Sequence, residues 1–128
     1  MVYLAIFLGG AIGGGLRYLV SLTITNDAFP FPTLTVNVIG ALLMGIFSTY
    51  FISYFNLHPN IKKLITTGFL GALTTYSSLS LETVELLEHG HILVAGTYLL
   101  VSLLLGFIFI AIGYRKGTDQ AWRYYILW

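Results

Sequence analysis

The chain has 128 residues, of which 57% are hydrophobic and 9% charged, and its formal net charge is +1. A mean hydropathy of +0.87 sets it apart from soluble domains, in which about a quarter of residues are charged, and predicts an integral membrane protein without a soluble domain. The small net charge argues against a nucleic-acid partner, and the lack of cysteine excludes a disulfide framework, cysteine-ligated zinc and a thiol nucleophile.

A helix that crosses the lipid bilayer needs about 20 apolar residues. Runs over about 2–25, 33–55, 64–88 and 91–114 meet that length. The links between them are short: Asn26 to Pro32 with Pro30 and Pro32, Asn56 to Lys63 with Pro59, and Glu88-His89-Gly90-His91. Successive spans therefore run up and down as neighbours, which predicts an all-α membrane protein with a single four-helix transmembrane domain over 1–128. The opening Met1-Val2-Tyr3-Leu4 lacks the basic segment and cleavage site of a secretory signal and is expected to be retained as part of the first span. Lys62, Lys63, Arg115, Lys116 and Arg123 fall on one side, with no lysine or arginine on the other. That bias puts both termini in the cytoplasm of a plasma membrane. The tail 115–128, with Trp122, Arg123, Tyr124, Tyr125 and Trp128, has the mixture of an interfacial anchor.

In the first span, Gly9/Gly13 and Gly10/Gly14 repeat at the four-residue spacing that lets helix backbones approach closely. Arg17 follows in the same run. It either snorkels towards the interface on its long stem or faces a polar interior and attracts anions. The second span carries one strongly polar side chain, Asn37, on a stripe with Gly40, Ala41 and Met44. Its amide either bonds a neighbouring helix or lines a path.

The third span is interrupted by Gly68-Phe69-Leu70-Gly71-Ala72-Leu73-Thr74-Thr75-Tyr76-Ser77-Ser78. Backbone polarity at mid-membrane survives only where protein, ion or water covers it, so this stretch predicts two half-helices meeting near the midplane. A half-helix start offers free N–H groups, and a half-helix end offers carbonyls able to hold a cation. Tyr76, Ser77, Ser78, Ser80, Glu82, Thr83 and Glu85 follow, with Ser78, Glu82 and Glu85 on one face. Glu85 and Glu88 read as a solvated helix end. In the fourth span Tyr98 and Ser102 stand one turn apart ahead of Gly106. They either bond back to their own helix or line a path. His58, His89 and His91 lie in links, and no Ser-His-Asp set or metal cluster shares a membrane depth, so the chain is not read as an enzyme.

With Gly9-Gly10, Gly13-Gly14 and Arg17-Tyr18 in the first span, Thr35-Val36-Asn37-Val38-Ile39-Gly40 in the second, Gly68 to Ser77 in the third and Tyr98 with Ser102 in the fourth, the chain resembles the Fluc (CrcB) family of bacterial fluoride channels. The resemblance implies a passive, fluoride-selective channel that exports fluoride from the cytoplasm. It also implies an antiparallel dual-topology dimer with a structural sodium ion at its centre, held by backbone carbonyls that correspond here to Gly71 and Thr74. Each dimer would have two pathways built from both subunits. Asn37 corresponds to the pore asparagine, Tyr98 and Ser102 to pore-lining hydroxyls, Ser77, Ser78, Ser80 and Glu82 to a polar track, and Arg17 to a vestibule arginine.

Two departures from the family pattern stand out. Where the family reads Thr-Thr-Phe-Ser-Thr-Phe, this chain has Thr74-Thr75-Tyr76-Ser77-Ser78-Leu79; Tyr76 keeps a ring edge for an anion, and Leu79 has none. The lysine and arginine bias also suits a chain that inserts one way. Together they point to a heterodimer with an oppositely oriented paralogue as the alternative to a homodimer. A small dual-topology multidrug exporter of similar length would need a carboxylate in the first span, and residues 2–25 contain none. A non-conducting assembly subunit is the remaining alternative, and it predicts that Asn37 and Ser102 matter for assembly alone.

Overall fold

The computed structural model describes residues 1–24, 29–51 and 57–127, the last eight of these and residue 51 by their backbone alone. No strand occurs among the described residues. Helix α1 spans Val2–Thr23. Helix α2 spans Phe31–Ile46 and continues in a wider π-helical winding over Phe47–Phe51. Helix α3 covers residues 59–73 in three joined pieces: Pro59–Lys63, a π-helical stretch Leu64–Leu70 and a last turn Gly71–Leu73. After a two-residue break come α4, Tyr76–Glu88, and α5, Ile92–Leu127.

Local chemistry explains the boundaries. Pro32 lies in the first turn of α2 and Pro59 opens α3, positions where a missing N–H costs nothing because no helical acceptor exists for it. His58 caps α3 by accepting the Asn60 N–H on Nδ1 at 3.2 Å. Thr75 caps α4 by accepting the Ser78 N–H at 3.1 Å. Helix α4 closes on Gly90, whose φ of 79° is left-handed. There the His91 N–H bonds the Leu86 carbonyl at 2.8 Å and the Gly90 N–H bonds the Leu87 carbonyl at 3.0 Å, the paired bonds of a Schellman turn.

Three unbroken helices are long and apolar enough to cross a membrane, within Val2–Thr23, Phe31–Tyr50 and Ile92–Asp119; α3 and α4 together make the broken fourth passage. The interruption is narrower than the glycine-rich run that predicts it. Only Thr74 and Thr75 leave the helix, both extended, while Gly68 sits inside the π-helical stretch. Helix α5 rises about 54 Å at 1.5 Å per residue, well beyond a hydrocarbon core of about 30 Å, so its backbone carries the tail on as helix to Leu127. The anchor side chains from Trp122 to Trp128, residues 26–28 of the first link, residues 52–55 at the end of the second span and Asn56 of the second link lie outside the described residues.

Alpha-helix α1 packs chiefly on the π-helical part of α3, and α5 on α2. Both contacts bring backbone against backbone. A Cβ on Gly9 would collide with the Leu64 carbonyl and one on Gly13 with the Phe69 carbonyl. Gly10 and Gly14, the other pair of the motif, face open space. Gly45 and Gly113 serve the α2–α5 crossing in the same way, a Cβ on Gly45 lying 2.5 Å from the Ile110 carbonyl. The interior core is small: Val36, Leu70 and Leu73, flanked by Val20, Met44, Phe47, Ile65 and Phe69. Large apolar residues such as Phe7, Leu93 and Phe107 are exposed, as expected where lipid or another chain is the neighbour. Gly13→Ala is therefore expected to lower thermal stability in detergent by about 2 kcal/mol or more, the scale of overpacking, while Gly10→Ala changes it little. Equal melting temperatures for the two variants would contradict this packing.

Candidate functional site

The centre of the site is the break. In an unbroken helix the Thr75 N–H would bond the Gly71 carbonyl. Here it donates to Asn37 Oδ1 at 2.7 Å, and Asn37 Nδ2 donates to the Thr75 carbonyl at 3.0 Å. The two-way bond fixes the orientation of the amide, because a backbone N–H requires the oxygen and a carbonyl requires the NH₂ group. The Ser78 N–H, which would reach back to the Thr74 carbonyl, goes instead to Thr75 Oγ1. Two side chains thus withdraw the helical donors of Gly71 and Thr74, whose carbonyls would otherwise be satisfied. Thr75 Oγ1 also meets the hydroxyls of Ser77 at 3.1 Å and Ser78 at 3.2 Å.

Asn37 faces a cavity of about 390 Å³, walled on one side by Gly40, Ala41 and Met44 of α2 and on the other by Ser102, Gly106 and Phe107 of α5. Thr74, Thr75, Tyr76 and Leu79 close it at the break. Asn37 retains one amide hydrogen beyond the bond to Thr75, since the NH₂ group has two. Ser102 is 6% exposed, and its hydroxyl has no partner among the described residues. The back-bonded serine, the bland alternative in the sequence, is therefore not what the structure contains.

Tyr98, one turn before Ser102, is fully buried. Its hydroxyl donates to Glu82 Oε2 at 2.5 Å, and Thr33 Oγ1 donates to Glu82 Oε1 at 2.6 Å, distances of short, charge-assisted bonds. The ring of Phe29 meets Tyr98 edge-on at 5.3 Å. Glu82 also lines a second cavity of about 310 Å³ at the α4–α5 end, with Phe29, Pro30, Glu85, Leu86, His89 and His91. Glu82, held by Thr33 and Tyr98, therefore stands at this mouth, while Ser102, one turn beyond Tyr98 on α5, lies with Asn37 on the first cavity.

The remaining sequence candidates are distributed as follows. Tyr76 is 74% exposed beside the break, Ser77 and Gly71 are exposed, and Leu79 is buried in the cavity wall. Ser80 bonds back to the Tyr76 carbonyl at 3.0 Å, which turns its hydroxyl onto its own helix. Arg17 is half-buried on α1, and neither cavity includes it. Glu85 and Glu88 are exposed, as a solvated helix end requires. Thr33 and Thr75 were absent from the sequence candidates although each had a signal. Thr33 lies one turn before Asn37 on the same stripe, and Thr75 is a threonine just ahead of a helix start.

A family model described as "CrcB-like protein, Camphor Resistance (CrcB)" matches residues 4–114. The chain belongs to the CrcB family. Among its curated CrcB relatives, "Fluoride-specific ion channel FluC 1" of Staphylococcus aureus is 42% identical over 117 residues, covering 91% of this chain and 97% of that protein. "Fluoride-specific ion channel FluC 2" of Staphylococcus saprophyticus is 45% identical over 118 residues, covering 92% and 98%. "Fluoride-specific ion channel FluC" of a Hydrogenobaculum species is 41% identical over 119 residues, covering 91% and 98%. Membership of CrcB makes the chain a multi-pass membrane protein of an ion-channel family and not an enzyme.

Proposed function

We propose that this chain is a passive, fluoride-selective channel through which fluoride leaves the cytoplasm, relieving its toxicity. The observation that carries the reading is Ser102, a buried hydroxyl without a partner on a cavity wall shared with the Asn37 amide. Leaving such a group unbonded costs about 1–3 kcal/mol, a cost that a passing anion removes. Fluoride is small and strongly hydrated, so it needs donors that replace its water. Ser102, the spare Asn37 hydrogen and the N-terminus of α4, with its positive end, supply them. Towards the α4–α5 end the next donors are the Thr33 and Tyr98 hydroxyls, where an anion competes with Glu82. The names of the relatives support fluoride as the ion.

The reading includes an antiparallel, dual-topology dimer joined through the breaks. Gly71, Tyr76 and Ser77 are exposed on one chain, so that a second chain has the break available to it. The carbonyls of Gly71 and Thr74, stripped of helical donors by Asn37 and Thr75, fit a sodium ion, which unwound backbone oxygens suit. When bound, the ion supplies the positive charge that lets such carbonyls from two chains converge. A heterodimer with an oppositely oriented paralogue is the second reading. Leu79 in the cavity wall favours it, because this chain offers no ring edge there, as does the one-sided distribution of lysine and arginine. The relatives' numbered names, FluC 1 and FluC 2, are in keeping with paralogous pairs.

The test is release of fluoride from liposomes holding the purified chain, read by an ion-selective electrode with chloride release recorded beside it. Fast fluoride release with chloride retained supports a self-sufficient homodimer. Release only after an oppositely oriented partner is added supports the heterodimer. Equal release of both ions, or silence with and without a partner, overturns the channel reading.

A further inference from the structure

The mouth at the α4–α5 end contains two histidines in fixed positions. His89 is the last residue before the left-handed Gly90, and His91 is the first after it. The two backbone bonds from Gly90 and His91 onto α4 hold the turn. His89 Nδ1 lies 2.7 Å from the Glu85 carbonyl oxygen. A carbonyl only accepts, so Nδ1 must carry the hydrogen, and Nε2 is left as the nitrogen that takes up a proton. Both histidines line the 310 Å³ cavity that ends on Glu82.

The charged surroundings are sparse and mostly negative. Helix α4 brings Glu82, Glu85 and Glu88 to this end. Of the elements packed on α4, α2 has no titratable side chain, and α5 brings only Tyr98 to this end. Lys62, Lys63, Arg115 and Lys116 belong to the opposite ends of α3 and α5, and Arg17, in the later half of α1, is not among the residues that line this cavity. With neutral imidazoles, the charged groups that an anion meets among the described residues lining this mouth are the carboxyl groups of Glu82 and Glu85. With protonated imidazoles it meets two cations beside Glu82. Histidine is the side chain that ordinarily changes charge between pH 5 and 8.

We infer that His89 and His91 form a proton-controlled anion-collecting mouth, which draws fluoride in when the imidazoles are protonated and repels it when they are neutral. The inference rests on the channel reading, and it adds a site and a pH dependence that the polar track alone does not require. Charge lining a cleft acts by raising the local ion concentration and the entry rate. The effect is therefore on permeation from this side and not on the break.

Two measurements test it. The first is an NMR titration of the three imidazoles, His58, His89 and His91, in detergent-solubilised protein with fluoride or with a bulky organic anion at the same ionic strength. Linkage is reciprocal: if protonation favours fluoride, fluoride favours protonation. Fluoride is expected to move the His89 and His91 midpoints up by about half a pH unit, on the scale of a nearby exchanging charge, and to leave His58, an exposed cap at the other end, unmoved. The second is fluoride release from liposomes between pH 8 and pH 5.5, corrected for the leak of empty vesicles. Release is expected to rise about threefold as the pH falls, and to stay flat in His89→Gln/His91→Gln, in which glutamine keeps an N–H for the Glu85 carbonyl. Midpoints that ignore fluoride, together with identical pH profiles for the two proteins, overturn the mouth and leave the channel reading intact. Shifted midpoints without release from the chain, alone or partnered, support the mouth as an anion site and overturn the channel.

Discussion

Asn37→Asp is expected to reduce fluoride release by about 100-fold or more while the protein still reaches the membrane. The substitution keeps the size of the side chain and its acceptor for the Thr75 N–H. It removes the NH₂ group, which has two tasks at once: one hydrogen holds the Thr75 carbonyl at 3.0 Å, and the other faces the cavity. Loss of the first leaves a carbonyl without its donor at membrane depth, a penalty of about 1–3 kcal/mol. Loss of the second replaces a donor with a carboxyl oxygen that repels the anion if ionised. A hundredfold fall corresponds to about 2.7 kcal/mol, within reach of either effect alone. Asn37→Leu removes both tasks and the Thr75 acceptor, so it should lose thermal stability as well as flux. Release from Asn37→Asp within a few-fold of the parent would show that the asparagine serves the break alone and that the pathway lies elsewhere.

Much of this architecture is legible in the chain because membrane segments advertise themselves by length and apolarity. The four passages and the position of the break follow from that and from one polar run at mid-span. The glycine motif is legible only in part. Its spacing marks a close approach, but Gly9 and Gly13 meet α3 while Gly10 and Gly14 meet nothing in a single chain, and four-residue spacing alone does not tell two adjacent stripes apart. The width of the break was hidden for a different reason. Glycines at 68 and 71 suggest irregular backbone, yet the residues that leave the helix are Thr74 and Thr75, because Asn37 and the Thr75 hydroxyl take the N–H groups that would continue it. The partner across that break is 38 residues away in the chain, a pairing no local pattern encodes.

The same limit applies to the acidic centre. Glu82 could be placed on a polar face by spacing, but its two partners come from α2 and α5, Thr33 and Tyr98. From spacing, Tyr98 and Ser102 read alike, as hydroxyls that either bond back to their own helix or line a path. One turn of helix was enough to separate their fates: the tyrosine hydroxyl is committed to a carboxyl group, and the serine hydroxyl is left without a bond. Side-chain hydroxyls at equal spacing look alike in a sequence, and only the neighbouring helices decide which of them is spent.

Ser102→Ala is expected to make the protein more stable and less conductive. The parent hydroxyl is buried without a partner among the described residues, so replacing it with a methyl group of nearly the same shape removes an unsatisfied polar atom. Relief of that kind is worth about 1 kcal/mol, a rise of a few degrees in melting temperature measured in fluoride-free detergent. The same change takes one donor from the dehydrated anion, which should cut fluoride release by about tenfold, equal to about 1.4 kcal/mol in the barrier. Fluoride should also raise the melting temperature of the parent more than that of the variant, because a ligand stabilises the state that binds it. A serine that merely held its own helix would give the opposite pattern, with stability lowered or unchanged and no difference in the response to fluoride. Ser102→Thr keeps the hydroxyl and can bond back to the carbonyl one turn earlier, as threonine does in helices. It should therefore fold as well as the alanine variant and conduct between it and the parent. If alanine destabilises the chain while fluoride release holds at the parent rate, Ser102 is a packing residue and the anion takes another route past α5.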